Sequence, residues 1–97
     1  MEKITVKEIE NIVSNIAPKY PVKYIELFGS YANDEVKEGS DIDLLVYFNE
    51  KSATLFDLIG IKLDIEDKLS IKVDIVAGPI KKGSYLIINK KIRIYEA

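Results

Sequence analysis

The run Ile42-Asp43-Leu44-Leu45-Val46-Tyr47-Phe48 is apolar or aromatic at every position except Asp43. A strand with one wet face alternates apolar with polar residues, whereas a continuous apolar run belongs to a strand covered on both faces. This stretch therefore reads as a central strand, and the rest of the chain has to supply its neighbours and its cover. The signals on either side alternate between helical and extended. Val6, Ile9, Ile12, Val13 and Ile16 recur at helical intervals behind a capping-box pair, Thr5 and Glu8, until Pro18 closes the segment. Val22 to Phe28 reads as a strand stopped at Gly29, and Ser30 is placed to cap a short helix through Tyr31 to about Val36.

Beyond Phe48 the same alternation continues. Ser52 or Thr54 can cap a helix whose Leu55, Phe56, Ile59, Leu63 and Leu69 form a core-facing stripe, with Glu66, Asp67 and Lys68 in water. Ile71 to Ala77 reads as a third strand, Ser84 to Asn89 as a helical turn and Ile92 to Tyr95 as a last strand. Strands alternating with helices give an α/β or α+β class, a small mixed sheet with helices packed on one side. At 97 residues the chain is expected to form one domain, residues 1–97.

Along a strand, side chains two apart point to the same side, so Asp41 and Asp43 share a face at the mouth of the apolar run. Like charges held together repel unless a cation neutralises them. Asp74, inside Lys72-Val73-Asp74-Ile75-Val76, is a third carboxylate in an apolar strand. Such a group is costly to bury unless it is paired or bound to metal, and Lys72 is one available partner. If the two strands are neighbours, all three carboxylates converge. The chain has no His and no Cys. That removes imidazole bases, thiol nucleophiles and zinc sites, and leaves oxygen ligands suited to Mg²⁺ or Mn²⁺.

Gly29-Ser30 acquires a role beside these carboxylates. A missing side chain lets phosphate approach the backbone, and a helix opening at Ser30 would offer free N–H groups to it. Phosphate on one side and carboxylate-held metal on the other make a site for phosphoryl or nucleotidyl transfer.

Gly29-Ser30, ten intervening residues and then Asp41-Ile42-Asp43, within "LFGSYA" and "SDIDLLV", resembles the signature of the polymerase-beta-like nucleotidyltransferase superfamily. Among its members the match is to the minimal nucleotidyltransferases paired with HEPN-domain proteins, with Asp74 of "KVDIV" in the place of the third carboxylate. The resemblance implies that Asp41, Asp43 and Asp74 are catalytic and metal-binding, with two Mg²⁺ ions, or Mn²⁺ in their stead. It implies that Gly29 and Ser30 hold the phosphates of ATP, and that AMP passes to a hydroxyl of a partner. The partner expected is a HEPN ribonuclease toxin, which makes this chain an antitoxin in a toxin–antitoxin system. Asn33-Asp34 stands where that family often has Arg-Gly, which takes a positive charge away from the phosphate side. Larger relatives carry an added helical domain, so here a partner or a second copy is expected to supply that surface. The rival reading keeps the fold without catalysis, a module that neutralises its partner by contact alone.

Other classes recede. Gly78-Pro79-Ile80-Lys81-Lys82-Gly83-Ser84 spaces two glycines like a phosphate-binding loop but lacks the Lys-Ser/Thr after the second. Lys81, Lys82, Lys90, Lys91 and Arg93 are few and spread out, and read as a solvated face and not as a nucleic-acid surface. No apolar run has the length of a membrane span, and the charged N-terminus does not resemble a signal peptide, so a cytoplasmic address is expected.

Overall fold

A computed structural model describes residues 4–37, 39–49, 53–78 and 90–97. The first helix, α1, runs Val6–Ile16, and its N-cap Thr5 accepts the Glu8 N–H at 3.1 Å. The Thr5 hydroxyl also approaches Glu8 Oε1 at 3.3 Å. Pro18 is accommodated in a 3-10 turn, Ala17–Lys19, that turns the chain into strand β1, Val22–Phe28. The central strand β2 is Ile42–Phe48, as its apolar run demands. Helix α2, Leu55–Leu69, starts at a full capping box: Thr54 accepts from Asp57 N–H, and Asp57 accepts from Thr54 N–H at 2.8 Å. It ends at Ser70, in the left-handed region with φ 55°, whose N–H returns to Glu66 O. Strands β3, Val73–Ala77, and β4, Ile92–Glu96, complete the sheet. The helical turn expected at Ser84–Asn89 and most of the glycine-spaced segment after Gly78 lie outside the described residues.

The four strands lie in the order β3-β2-β1-β4. β1 is antiparallel to both β2 and β4, while β2 and β3 are parallel, with α2 as the crossover that a parallel pair requires. Both helices cover one face. Ile25 and Leu27 of β1, Ile42, Leu44 and Val46 of β2, Val73 of β3 and Ile94 of β4 pack there with Ile9, Val13 and Ile16 of α1 and Ile61, Ile65 and Leu69 of α2. The mixed sheet with helices on one side is thus the observed architecture.

On the opposite face β2 presents Asp43, Leu45 and Tyr47 in alternation with that core set. Leu45 is fully buried there, while Asp43 and Tyr47 are half-buried. Tyr47 stacks on its register partner Tyr24 at 4.2 Å between ring centroids, and the Arg93 guanidinium sits 3.9 Å from the Tyr24 ring. Gly78 is small for this reason: a Cβ there would run into the Tyr47 ring. Glu26, the buried acidic residue of this face, is flanked by Lys91 and Arg93, each at 3.6 Å.

Two expectations about elements are corrected. Ser30 does not cap a helix reaching Val36. A three-residue 3-10 turn, Gly29–Tyr31, begins after Phe28, and Asp34 breaks the helical path by taking φ 58°. The core-facing stripe of α2 keeps Leu69 as expected but otherwise differs. Leu55 (68 % exposed), Phe56 (85 %), Ile59 (44 %) and Leu63 (56 %) face outward, and Ile61, Ile65 and Leu69 are the buried set. The helix carries apolar residues on both sides, so periodicity identifies a helix without telling which side meets the sheet. Glu66, expected in water, is half-buried and accepts the Val73 N–H at 2.8 Å, tying α2 to the start of β3.

Candidate active site

The parallel β2–β3 pairing sets the site. Its register places Ile42 opposite Val73, Asp43 opposite Asp74 and Leu44 opposite Ile75. Asp43 and Asp74 are thereby side by side on the face away from the helices, joined by Asp41 two positions earlier on β2's approach. The strand adjacency on which their convergence was conditional is observed. Burial pushes the Asp43 carboxyl above the usual carboxylate range, and the charges of Asp74 and Asp41 push it further.

β1 brings Gly29 to the other side of Asp43. Phe28 is the register partner of Asp43, so the turn that follows it passes directly by that carboxylate. Gly29 takes φ 75°, and a Cβ there would collide with Asp43 Oδ2 and lie 3.0 Å from its Cγ. Glycine is required twice over, by its backbone and by the carboxylate next to it. Ser30 lies half-buried in the same turn, and its carbonyl accepts the Glu35 N–H at 2.8 Å.

The Asn33-Asp34 pair has a local role here. Asn33 N–H and its side-chain Nδ2 both donate to Gly29 O, at 3.0 and 2.9 Å. Asp34 then occupies a left-handed position of the kind that glycine fills most easily and that Asp or Asn tolerates. Only one helical turn stands behind Gly29-Ser30, so little of a helix dipole is available. What the turn offers an anion is the N–H groups that begin it.

Lys72 was a possible partner for Asp74, but its ion pair is with Asp41: Nζ lies 3.8 Å from Oδ2. Its signal in the sequence was its position two residues before Asp74, which puts both side chains on one face. Among the described residues no group of three acidic side chains is already arranged to hold a metal ion. The donor chemistry nevertheless suits a hard divalent cation: only oxygen is offered, and burial, together with the charges of Asp74 and Asp41, disfavours an uncompensated negative charge on Asp43.

Comparison with known proteins bears on the family and the fold. The family model described as Nucleotidyltransferase domain matches residues 6–95. A Methanocaldococcus jannaschii protein provisionally named a protein adenylyltransferase is 41 % identical over 73 residues, covering 75 % of this chain and 77 % of the relative. Protein adenylyltransferase MntA of Thermococcus cleftensis is 36 % identical over 88 residues, 86 % of this chain and 88 % of its own. Among solved structures, a chain from the complex of tri-AMPylated Shewanella oneidensis HEPN toxin with MNT antitoxin superposes with a TM-score of 0.64 at 18 % identity. That match spans 94 % of this chain and 72 % of the other, and bears on the fold.

Proposed function

The chain belongs to the nucleotidyltransferase domain family, and from that premise we propose that it transfers AMP from ATP to a hydroxyl of a partner protein, with release of pyrophosphate. The observation that carries this reading is the placement of Asp43 beside Asp74 on one face, with Gly29 on Asp43's other flank.

Asp41, Asp43 and Asp74 would hold Mg²⁺, with two ions expected and Mn²⁺ as a substitute. When bound, such ions neutralise the phosphate oxygens and favour the acceptor's deprotonated form. Gly29 and Ser30 receive the β and γ phosphates at the turn that the missing Cβ lets pass directly beside Asp43. Asp74, on the far side of Asp43 from Gly29, faces the acceptor. It orients the acceptor hydroxyl and takes up its proton as the oxygen attacks the α-phosphorus. The bond from that phosphorus to the bridging oxygen breaks, and pyrophosphate leaves on the Gly29 side.

The partner proposed is a HEPN ribonuclease toxin, neutralised by the modification in the cytoplasm; support comes from the MntA relative's name and from the fold shared with the MNT–HEPN complex. A second copy of this chain is the other candidate partner. One observation favours the alternative of neutralisation by contact: Asn33-Asp34 supplies no cation beside the phosphate side.

The test is to incubate the protein with ATP, Mg²⁺ and its HEPN partner and weigh the partner by mass spectrometry. A gain of AMP units, lost in the Asp41→Asn, Asp43→Asn double variant, is expected. No mass gain with the wild type, together with neutralisation retained by the double variant, would instead favour the contact-only module.

A further inference from the structure

Lys72 stands to Asp41 as Asp74 stands to Asp43. The Ile42 N–H donates to Lys72 O at 3.0 Å, so the parallel pairing extends one step before the register pair of Ile42 and Val73. Asp41, Asp43, Lys72 and Asp74 thus form a square on the face away from the helices, with three negative corners and one positive. The other ion pairs among the described residues are Lys7–Glu10, Lys91–Glu26, Arg93–Glu26 and Arg93–Glu96. Lys72 is therefore the one cation paired with any of the three aspartates among those residues.

We propose that Lys72 is a built-in counter-ion that holds the Asp41 carboxylate when no divalent ion is bound and competes with that ion for it. The proposal rests on the reading of Asp41, Asp43 and Asp74 as metal carboxylates. The ammonium draws Asp41 to itself at 3.8 Å. An ion entering between Asp41, Asp43 and Asp74 meets a positive charge within a few ångströms and must displace it. The lysine can give way, because its side chain is 65 % exposed on a flexible four-carbon stem, and Asp41's is 35 % exposed. Lys72 is thus a positioning residue: it sets how Asp41 is held and how readily the site accepts a metal.

The test is titration with Mn²⁺ alone, free ion being read by electron paramagnetic resonance, on the wild type and on Lys72→Met, Lys72→Arg and Lys19→Met. Lys19, in the turn after α1, gives the same change of net charge away from the square. Lys72→Met should bind Mn²⁺ about two- to fivefold more tightly at low salt, the range expected for removing one solvent-exposed ion-pair partner. The gap should narrow in high salt, while Lys72→Arg and Lys19→Met stay near the wild type. If the wild type binds Mn²⁺ and Lys72→Met binds it equally or more weakly, the proposal is overturned while the metal site stands. If neither binds, the assignment of the three aspartates falls and the proposal falls with it.

Discussion

Asp43 and Asp74 are register partners across the parallel β2–β3 pair, two carboxylates side by side on the sheet face that the helices leave uncovered. Asp43 is held above the ordinary carboxylate range by burial first and then by the Asp74 and Asp41 charges. A group whose folded pKa is raised favours folding below its unfolded value and loses that contribution as pH rises through the folded value. Asp43→Asn should therefore melt higher than the wild type at pH 7 without metal. The difference should shrink as pH falls below the ordinary carboxylate range, where both side chains are neutral. Mg²⁺ should raise the melting temperature of the wild type and leave that of Asp43→Asn unchanged; calorimetry in buffers from pH 3 to pH 8, on the order of one unit apart, checks both signs.

Gly29→Ala tests the contact on Asp43's other flank. A methyl group in the left-handed region and against Asp43 Oδ2 should cost about 1–3 kcal/mol in urea unfolding. It should also weaken ATP binding more than the loss of stability explains, because the carboxylate must move. Calorimetric ATP titration well below the variant's melting temperature separates the two effects.

Asp34 takes φ 58°, so Asp34→Gly should stabilise the protein by up to about 1 kcal/mol, by removing the strain of a side chain there. Asn33→Arg combined with Asp34→Gly puts a cation beside the phosphate side. The double variant should bind ATP more tightly than Asp34→Gly alone, measured by titration at two salt concentrations to confirm an electrostatic origin.

Tyr20 Oη donates to Asp64 Oδ2 at 2.5 Å, which together with burial pushes the phenol up to about 12. Gly60 makes room for this contact, since a Cβ there would lie 2.9 Å from the Tyr20 hydroxyl. Tyr20→Phe should cost about 1 kcal/mol at neutral pH, a hydrogen bond to a carboxylate discounted for exposure. By the sign for a raised pKa, that contribution is intact below the ordinary phenol value of 10.0 and disappears as pH rises toward about 12. Denaturant melts of both proteins across that interval should converge.

The two sides of α2 should respond in opposite ways. Ile61→Ala empties a fully buried position and should cost about 2–4 kcal/mol. Phe56→Ser, at an 85 % exposed position, should stay within about 0.5 kcal/mol of the wild type by the same urea measurement.

Much of this protein is written locally. Strands β1 and β2 have the bounds that their apolar runs predict, α1 starts at Thr5 and α2 at Thr54, because caps and side-chain periodicity act within a few residues. The chemistry of the site was also legible, since the absence of His and Cys leaves oxygen, and the spacing of Asp41 and Asp43 puts both on one face. Tertiary structure decided what local pattern leaves open. Strand order and register brought Asp74 to Asp43, Lys72 to Asp41 and Gly29 to Asp43's far side. Packing against the sheet chose Ile61, Ile65 and Leu69 over the outward Leu55, Phe56 and Leu63. The left-handed turn at Asp34 stopped a helix after one turn where capping signals alone predicted a longer one. The Asp34 turn is held by nearby bonds to Gly29 and Ser30, but for strand register and the buried side of α2 the deciding energy comes from contacts between residues far apart in the chain, which no window of neighbouring residues contains.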